Sequence, residues 1–310
     1  MHMLQNLSKF ASFILIFALS EAVPAATEVY TQIAKFGAQY FLVDVWKNRV
    51  LYSDHFHSDL SQWRILDDKL NHPHSIANYQ DIYVVEDTEK DAINVYRATA
   101  TGFDLIQRIE NIASRPHRII WDYPSRAFWV LASANTYIYK FVLTGDADSP
   151  LRVEYAKPLP FLQGKYRRSM TIYKDLMYFT PSEPEGNIIA ARYSDDSFTV
   201  VDSSAPTPKG FIVGNISYAG NDIFITADGW WYLTALRWGH IIRASSWEAM
   251  KRGEWENVGD ILGARGNLYY LSEFEGRIWA TCHDPCTSPF ITFKHGPNGE
   301  IKDISRPLLR

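Results

Sequence analysis

His72-Pro73-His74-Ser75-Ile76-Ala77 leads into Asp81-Ile82-Tyr83-Val84-Val85-Glu86-Asp87, and that into Ala92-Ile93-Asn94-Val95-Tyr96-Arg97. A proline-led turn thus opens a β-branched strand, a short polar turn follows, and aromatic-rich strands close the unit. The same plan lies upstream in Gln39 to Asp44 and Asn48 to Ser53. It recurs downstream in Arg115-Pro116-His117-Arg118-Ile119-Ile120, Ala127 to Ala132 and Thr136 to Val142. Weaker copies surround Met170 to Arg192, Gly214 to Arg243 and Gly263 to Cys282. The period of roughly 40 to 50 residues, with several short strands per copy, specifies a radial array, because a lone four-stranded unit cannot cover both of its faces. The reading is an all-β, six-bladed β-propeller. Its first inner strand starts within Glu28 to Lys35, and its first outer strand lies near Trp63 to Leu66. The last hairpin, Pro289 to Lys294 and Glu300 to Ile304, either completes the final blade or pairs with the N-terminal segment.

The chain of 310 residues is 46% hydrophobic and longer than one compact core usually supports, but a stacked ring grows without a second core. Residues 26–310 therefore read as a single propeller. The net charge of -4, with 31 basic and 35 acidic residues interspersed, supplies no polycationic surface, so nucleic acid is not an expected partner. The short basic run Lys165-Tyr166-Arg167-Arg168 reads as a solvated loop.

Residues 1–25 read as a secretory signal peptide: Lys9, the apolar run Phe10 to Leu19, and small residues up to Ala25 as the cleavage site. The mature protein is then expected outside the cytoplasm, secreted or periplasmic, with no membrane span. The two cysteines, Cys282 and Cys286, read as a local disulfide in that setting, with a zinc site that recruits His283 as the competing reading. Asn215-Ile216-Ser217 is an N-glycosylation acceptor sequence, although it falls where an inner strand should begin. One short connector helix is expected from Ser245 to Gly253, started by the Ser245/Glu248 spacing and ended by the glycine. The tryptophans Trp46, Trp121, Trp129, Trp230, Trp231, Trp238 and Trp279 read mainly as wedges between blades, with Trp230-Trp231 the exposed pair.

Because all blades aim the ends of their inner strands at one axis, repeat alignment predicts spatial neighbours. His74 and His117 occupy equivalent places, and the corresponding segments further round supply Arg168, Asn215 and Arg265. The repeat pattern resembles six-bladed propellers of the NHL-repeat, gluconolactonase, paraoxonase and strictosidine-synthase type. The segment Pro73 to Ile76 with Tyr83 to Asp87 is similar to the blade motif of peptidyl-hydroxyglycine lyases. That resemblance implies histidine ligands to a channel metal, here His74 and His117, with calcium or zinc as the ion. A third donor would come from Glu86, Asp87 or Asn215, since the later copies offer Arg168, Asn215 and Arg265 where a third histidine would stand.

No Gly-x-Ser-x-Gly elbow, phosphate-cradling glycine loop, His-Glu-x-x-His or dinucleotide fingerprint is present. The expectation is a secreted propeller that binds a small molecule, glycan or peptide, or a metal ion, at a channel mouth lined by His74, His117, Arg168, Asn215 and Arg265. A metal-dependent hydrolase or lyase, lactonase-like or peptidyl-hydroxyglycine-lyase-like, is the alternative at the same channel. An extracellular protein-interaction scaffold is the third reading.

Overall fold

A computed structural model describes residues 29–182, 186–194, 197–207, 211–229, 239–264, 266–283 and 288–309. Six four-stranded antiparallel sheets, each a meander of consecutive strands, form the six blades. The inner strands are Tyr30–Phe36, Ile76–Tyr79, Pro116–Asp122, Arg167–Tyr173, Phe211–Ala219 and Leu268–Phe274. Each pairs with a second strand: Gln39–Asp44, Ile82–Asp87, Ala127–Ala132, Leu176–Pro181, Asp222–Gly229 and Arg277–Cys282.

The second strands explain the continuous apolar runs in the sequence. Ile82–Asp87 and Ala127–Ala132 are buried at every position, because neighbouring blades cover both faces. The outermost strands, such as Thr199–Pro206, are largely exposed and correspondingly polar. Trp129 and Trp279 are wedges as expected, 1% and 6% exposed, whereas Trp46 is 50% exposed. Trp230, Trp231 and Trp238 lie outside the described residues.

The terminal hairpin completes blade 6: Phe290–His295 and Ile301–Ser305 are its third and fourth strands. All of blade 1 comes from the start of the described chain and all of blade 6 from its end, so no described strand crosses the seam between them. Side chains close the ring instead. Tyr40 donates to Glu275 at 2.7 Å and Lys35 pairs with the same carboxylate. Beneath this clasp Tyr30, Trp63, Trp279 and Phe290 form one buried cluster.

The connector helix is Trp247–Lys251, capped by Ser246, whose hydroxyl accepts from the Ala249 amide at 3.1 Å. The cap therefore lies one residue beyond the Ser245 position that the Ser-x-x-Glu spacing suggested. A second helix of one turn, Gly259–Leu262, follows it. The basic run 165–168 also differs from its reading as a solvated loop. Arg167 is 2% exposed and opens the inner strand of blade 4, so the run turns inward to the axis. No described helix is long and apolar enough to cross a membrane. Segment 1–25 and Cys286 lie outside the described residues, and Cys282 is buried at the end of its strand.

Candidate functional site

Five of the six inner strands carry a shared irregularity that sets the height of their axial side chains. Pairing with the second strand slips at Thr31, His117 and Arg168, and two residues, Gly214-Asn215 and Tyr269-Tyr270, stand opposite Thr226 and Thr281. These are β-bulges, which swing an extra residue toward the axis. Two levels result. The upper level holds Thr31, His74, His117, Arg168, Gly214 and Tyr269. Below it the register aligns Gln32, Ser75, Arg118, Ser169, Asn215 and Tyr270.

At the upper level the histidines predicted to be neighbours are in contact. The rings of His74 and His117 stack with centroids 3.8 Å apart and planes 28° from parallel. Nδ1 of His74 is hydrogen-bonded to the Thr88 hydroxyl at 3.1 Å, and Nε2 of His117 to the Tyr269 hydroxyl at 3.1 Å. Arg168 lies over the Tyr269 ring at 5.6 Å. Burial pushes His117 down to about 3, reinforced by the Arg168 charge, and holds His74 well below the usual histidine range. Both imidazoles are therefore neutral near neutrality.

This donor set does not fit a divalent ion. Rings stacked face to face cannot converge their lone pairs on one centre, and one nitrogen of each is already engaged. A guanidinium stands beside them. No group of three His, Cys, Asp or Glu side chains with metal-site spacing exists among the described residues. The space enclosed between His74, His117, Arg168 and Tyr269 is only about 10 Å³.

Asn215 belongs to the lower level, one residue below the place that repeat alignment assigned it; Gly214 takes that place because of the bulge. Its side chain is 1% exposed: Nδ2 donates to Ser169 Oγ at 2.9 Å and Oδ1 accepts from the Leu271 amide at 3.2 Å. A glycan on Nδ2 has no room here. Arg265 lies outside the described residues, and the blade-6 residue at the upper level is Tyr269, which the repeat alignment does not single out.

The lower level forms a belt that ties each blade to the next. Gln32 accepts from the Ile76 amide at 2.7 Å, Ser75 from the Ile119 amide at 2.9 Å, and Asn215 from Leu271 as above. Threonines at the fifth position of the second strands lock the same joint: Thr226 donates to the Tyr269 carbonyl at 2.9 Å and Thr281 to the Thr31 carbonyl at 3.1 Å. In blade 2 this fifth position is Glu86, 0% exposed, whose Oε1 accepts from the amides of His74 at 2.8 Å and Ser75 at 2.5 Å. Burial raises Glu86 to about 8.

Arg118 is the odd member of the belt. It is 8% exposed, with its guanidinium carbon 4.0 Å from the centre of the Tyr270 ring and Nε donating to the Met170 carbonyl at a long 3.4 Å. Its Nη1 is buried with no hydrogen-bond partner. Burial lowers its pKa to about 9. Leaving Nη1 of a buried guanidinium without an acceptor is costly.

Arg118 borders the small enclosed space above it and, on its other side, an open funnel of about 550 Å³ around the far ends of the inner strands. Three further donors in residues of the funnel wall, Trp121 Nε1, the Tyr218 hydroxyl and Ser272 Oγ, are buried and unpartnered. Trp121 stacks on Tyr79 at 4.0 Å, and Tyr123 beside it is 73% exposed. Glu273, on the same wall, is raised above the usual carboxylate range by partial burial. Sequence reasoning missed this mouth. The available signal was Arg118 itself, a charged side chain in the register where the neighbouring blades carry serine.

No family model and no curated protein matches the chain. Solved structures do. A 6-phosphogluconolactonase-like protein from Bacteroides uniformis is 13% identical with a TM-score of 0.59, over 88% of this chain and 83% of that one. A counterpart from Bacteroides fragilis is 14% identical with a TM-score of 0.60, over 89% and 83%. The periplasmic gluconolactonase of Pseudomonas aeruginosa is 12% identical with a TM-score of 0.57, over 88% and 83%. At such identities the likeness establishes the propeller fold.

Proposed function

We propose that this chain binds a small anionic ligand in the axial channel, admitted through the funnel, with the acid group seated on Arg118. The observation that carries the reading is the buried, unpartnered Nη1 of Arg118, a residue that lines a cavity of about 550 Å³. A carboxylate or phosphate there supplies the missing acceptor, and the burial of the guanidinium strengthens the charge-assisted bond. The names of the similar structures favour a sugar acid or its lactone as the ligand class, and one of those proteins is periplasmic by name. The apolar leader at residues 10–19 accords with export to such a compartment.

The test is calorimetric titration with gluconate and 6-phosphogluconate. Binding that disappears in Arg118→Leu and weakens in Ser272→Ala supports the reading. Equal affinity in the wild type and both variants, or no binding of either compound, sinks it.

Hydrolysis is a second reading, favoured by one observation: Glu273 is a carboxyl with a raised pKa on the wall of the same funnel, its side chain open to solvent. There it would accept a proton from water attacking a lactone carbonyl, while Arg118 stabilises the oxyanion. Lactone turnover that survives unchanged in Glu273→Gln rejects it.

A further inference from the structure

The funnel does not end at its rim. A cleft of about 340 Å³ between blades 4 and 5 shares Tyr173 and Tyr218 with it, and a cleft of about 400 Å³ between blades 5 and 6 shares Glu273. The two clefts meet at Asn221 and Ser245. One depression therefore runs from the axis outward on both flanks of blade 5. The funnel alone already matches the roughly 300–1,000 Å³ that encloses a drug-sized molecule, so the clefts are surplus to any single metabolite.

Building on the anionic-ligand reading, we propose that this face holds an acidic oligosaccharide, one uronate unit in the funnel and further units in the clefts beside blade 5. The lining carries charges of both signs, Lys35, Arg118, Lys174 and Arg277 beside Asp175, Asp222, Glu248 and Glu273. Aromatic planes stand at the rim: Tyr123 is 73% exposed, and Tyr173 and Tyr218 stack at 3.8 Å with planes 2° apart. The exposed Tyr123 ring offers an apolar face to the C–H side of a pyranose, while Tyr173 and Tyr218 each cover one face of the other. Between them, Ser217 lines the funnel, and Asn221 and Ser245 line both clefts, polar residues able to hydrogen-bond sugar hydroxyls. The buried cation, Arg118, selects a carboxylate at one end.

The test is titration of the full chain with oligogalacturonates of one to six units. Affinity is expected to rise at least tenfold from one unit to four. Asn221→Trp, an exposed turn position that fills the junction of the clefts, removes that gain while monomer affinity stays within twofold; Tyr123→Ala reduces it. Equal affinity for monomer and hexamer in the wild type overturns the oligosaccharide proposal and leaves the small-ligand reading standing. A length gain untouched by Asn221→Trp overturns it too, as does a hexaglutamate peptide that binds as tightly as the tetrasaccharide. Loss of all binding, monomer included, brings down both readings.

Discussion

Glu86 occupies in blade 2 the position that Thr281 occupies in blade 6, the fifth residue of the second strand, opposite the first residues of the inner strand. The threonine accepts an amide from its own blade, Tyr270 N at 3.1 Å, and donates to the next. A carboxyl in that place accepts readily but donates only when protonated. Its Oε2 lies 3.2 Å from Ser75 Oγ, which also accepts from the Ile119 amide. A protonated Glu86 can thus relay to blade 3 as the threonines do elsewhere. Burial favours that form, raising the group to about 8.

The consequence is a stability that falls with rising pH. The folded state holds the Glu86 proton up to about 8, whereas the unfolded chain releases it near the ordinary value of about 4.3. Stability from this group is complete below the lower value and is lost as pH rises through the upper one. Glu86→Gln, whose amide nitrogen donates to Ser75 permanently, is expected to flatten the fall of Tm between pH 5 and 9. An equally steep fall in the variant would show that another group is responsible.

The histidine pair produces the opposite slope. Burial and the Arg168 charge hold His117 at about 3, well below the roughly 6.5 of an unfolded histidine. Its contribution is complete above pH 6.5 and is lost as pH falls toward the folded value. His117→Gln keeps a partner for the Tyr269 hydroxyl and cannot be protonated. Its Tm should vary less than that of the wild type between pH 7 and 4.5, as thermal unfolding monitored by circular dichroism would reveal. Because the stacked rings do not present a metal site, added EDTA should leave Tm unchanged at pH 7; a drop of several degrees would restore the metal reading.

How much of this was legible from sequence depends on which regularity is asked for. The blades were, because each must alternate buried runs with turns at a fixed spacing, and Val84, Val130 and their equivalents repeat it. The contact of His74 with His117 was also legible, since two nearly identical tetrapeptides in successive copies lie at one axial height. Asn215 was misplaced because a β-bulge adds a residue without any composition of its own. Counting from Pro73 or Pro116 therefore fails by one in blade 5, where Gly214 stands at the upper level, and the helix Gly259–Leu262 pushes the blade-6 strand start to Leu268. The funnel was hidden for another reason: its lining residue, Arg118, is adjacent in sequence to a more conspicuous histidine.

Gly214 tests the bulge directly. A Cβ built there lies 2.6 Å from both Thr226 Oγ1 and the Tyr269 carbonyl, backbone and joint of the next blade, neither of which can withdraw without breaking the interblade bond. Gly214→Ala is expected to cost about 1–3 kcal/mol, the usual penalty for overpacking a fixed site. Urea denaturation measures it, and a cost below about 0.5 kcal/mol would mean that the joint is more compliant than its geometry implies.

Among the described residues the seam between blades 1 and 6 lacks a shared strand, so two kinds of contact compete for the credit of holding it. The Glu275 clasp is partly solvated, its carboxylate side chain 43% exposed, and such contacts contribute little in water. The aromatic layer beneath is dry: Phe290 is 0% and Trp279 6% exposed, and Phe290 packs on Tyr30 across the seam with centroids 5.4 Å apart. Phe290→Ala should therefore cost about 3–5 kcal/mol, whereas Glu275→Gln should shift the urea midpoint only slightly. Since unfolding of a ring begins where it is easiest to part, Phe290→Ala should also speed the onset of proteolysis around residues 30 and 290. If Glu275→Gln proves the more damaging of the two, the ring is held by its surface clasp and the apolar account of the seam fails.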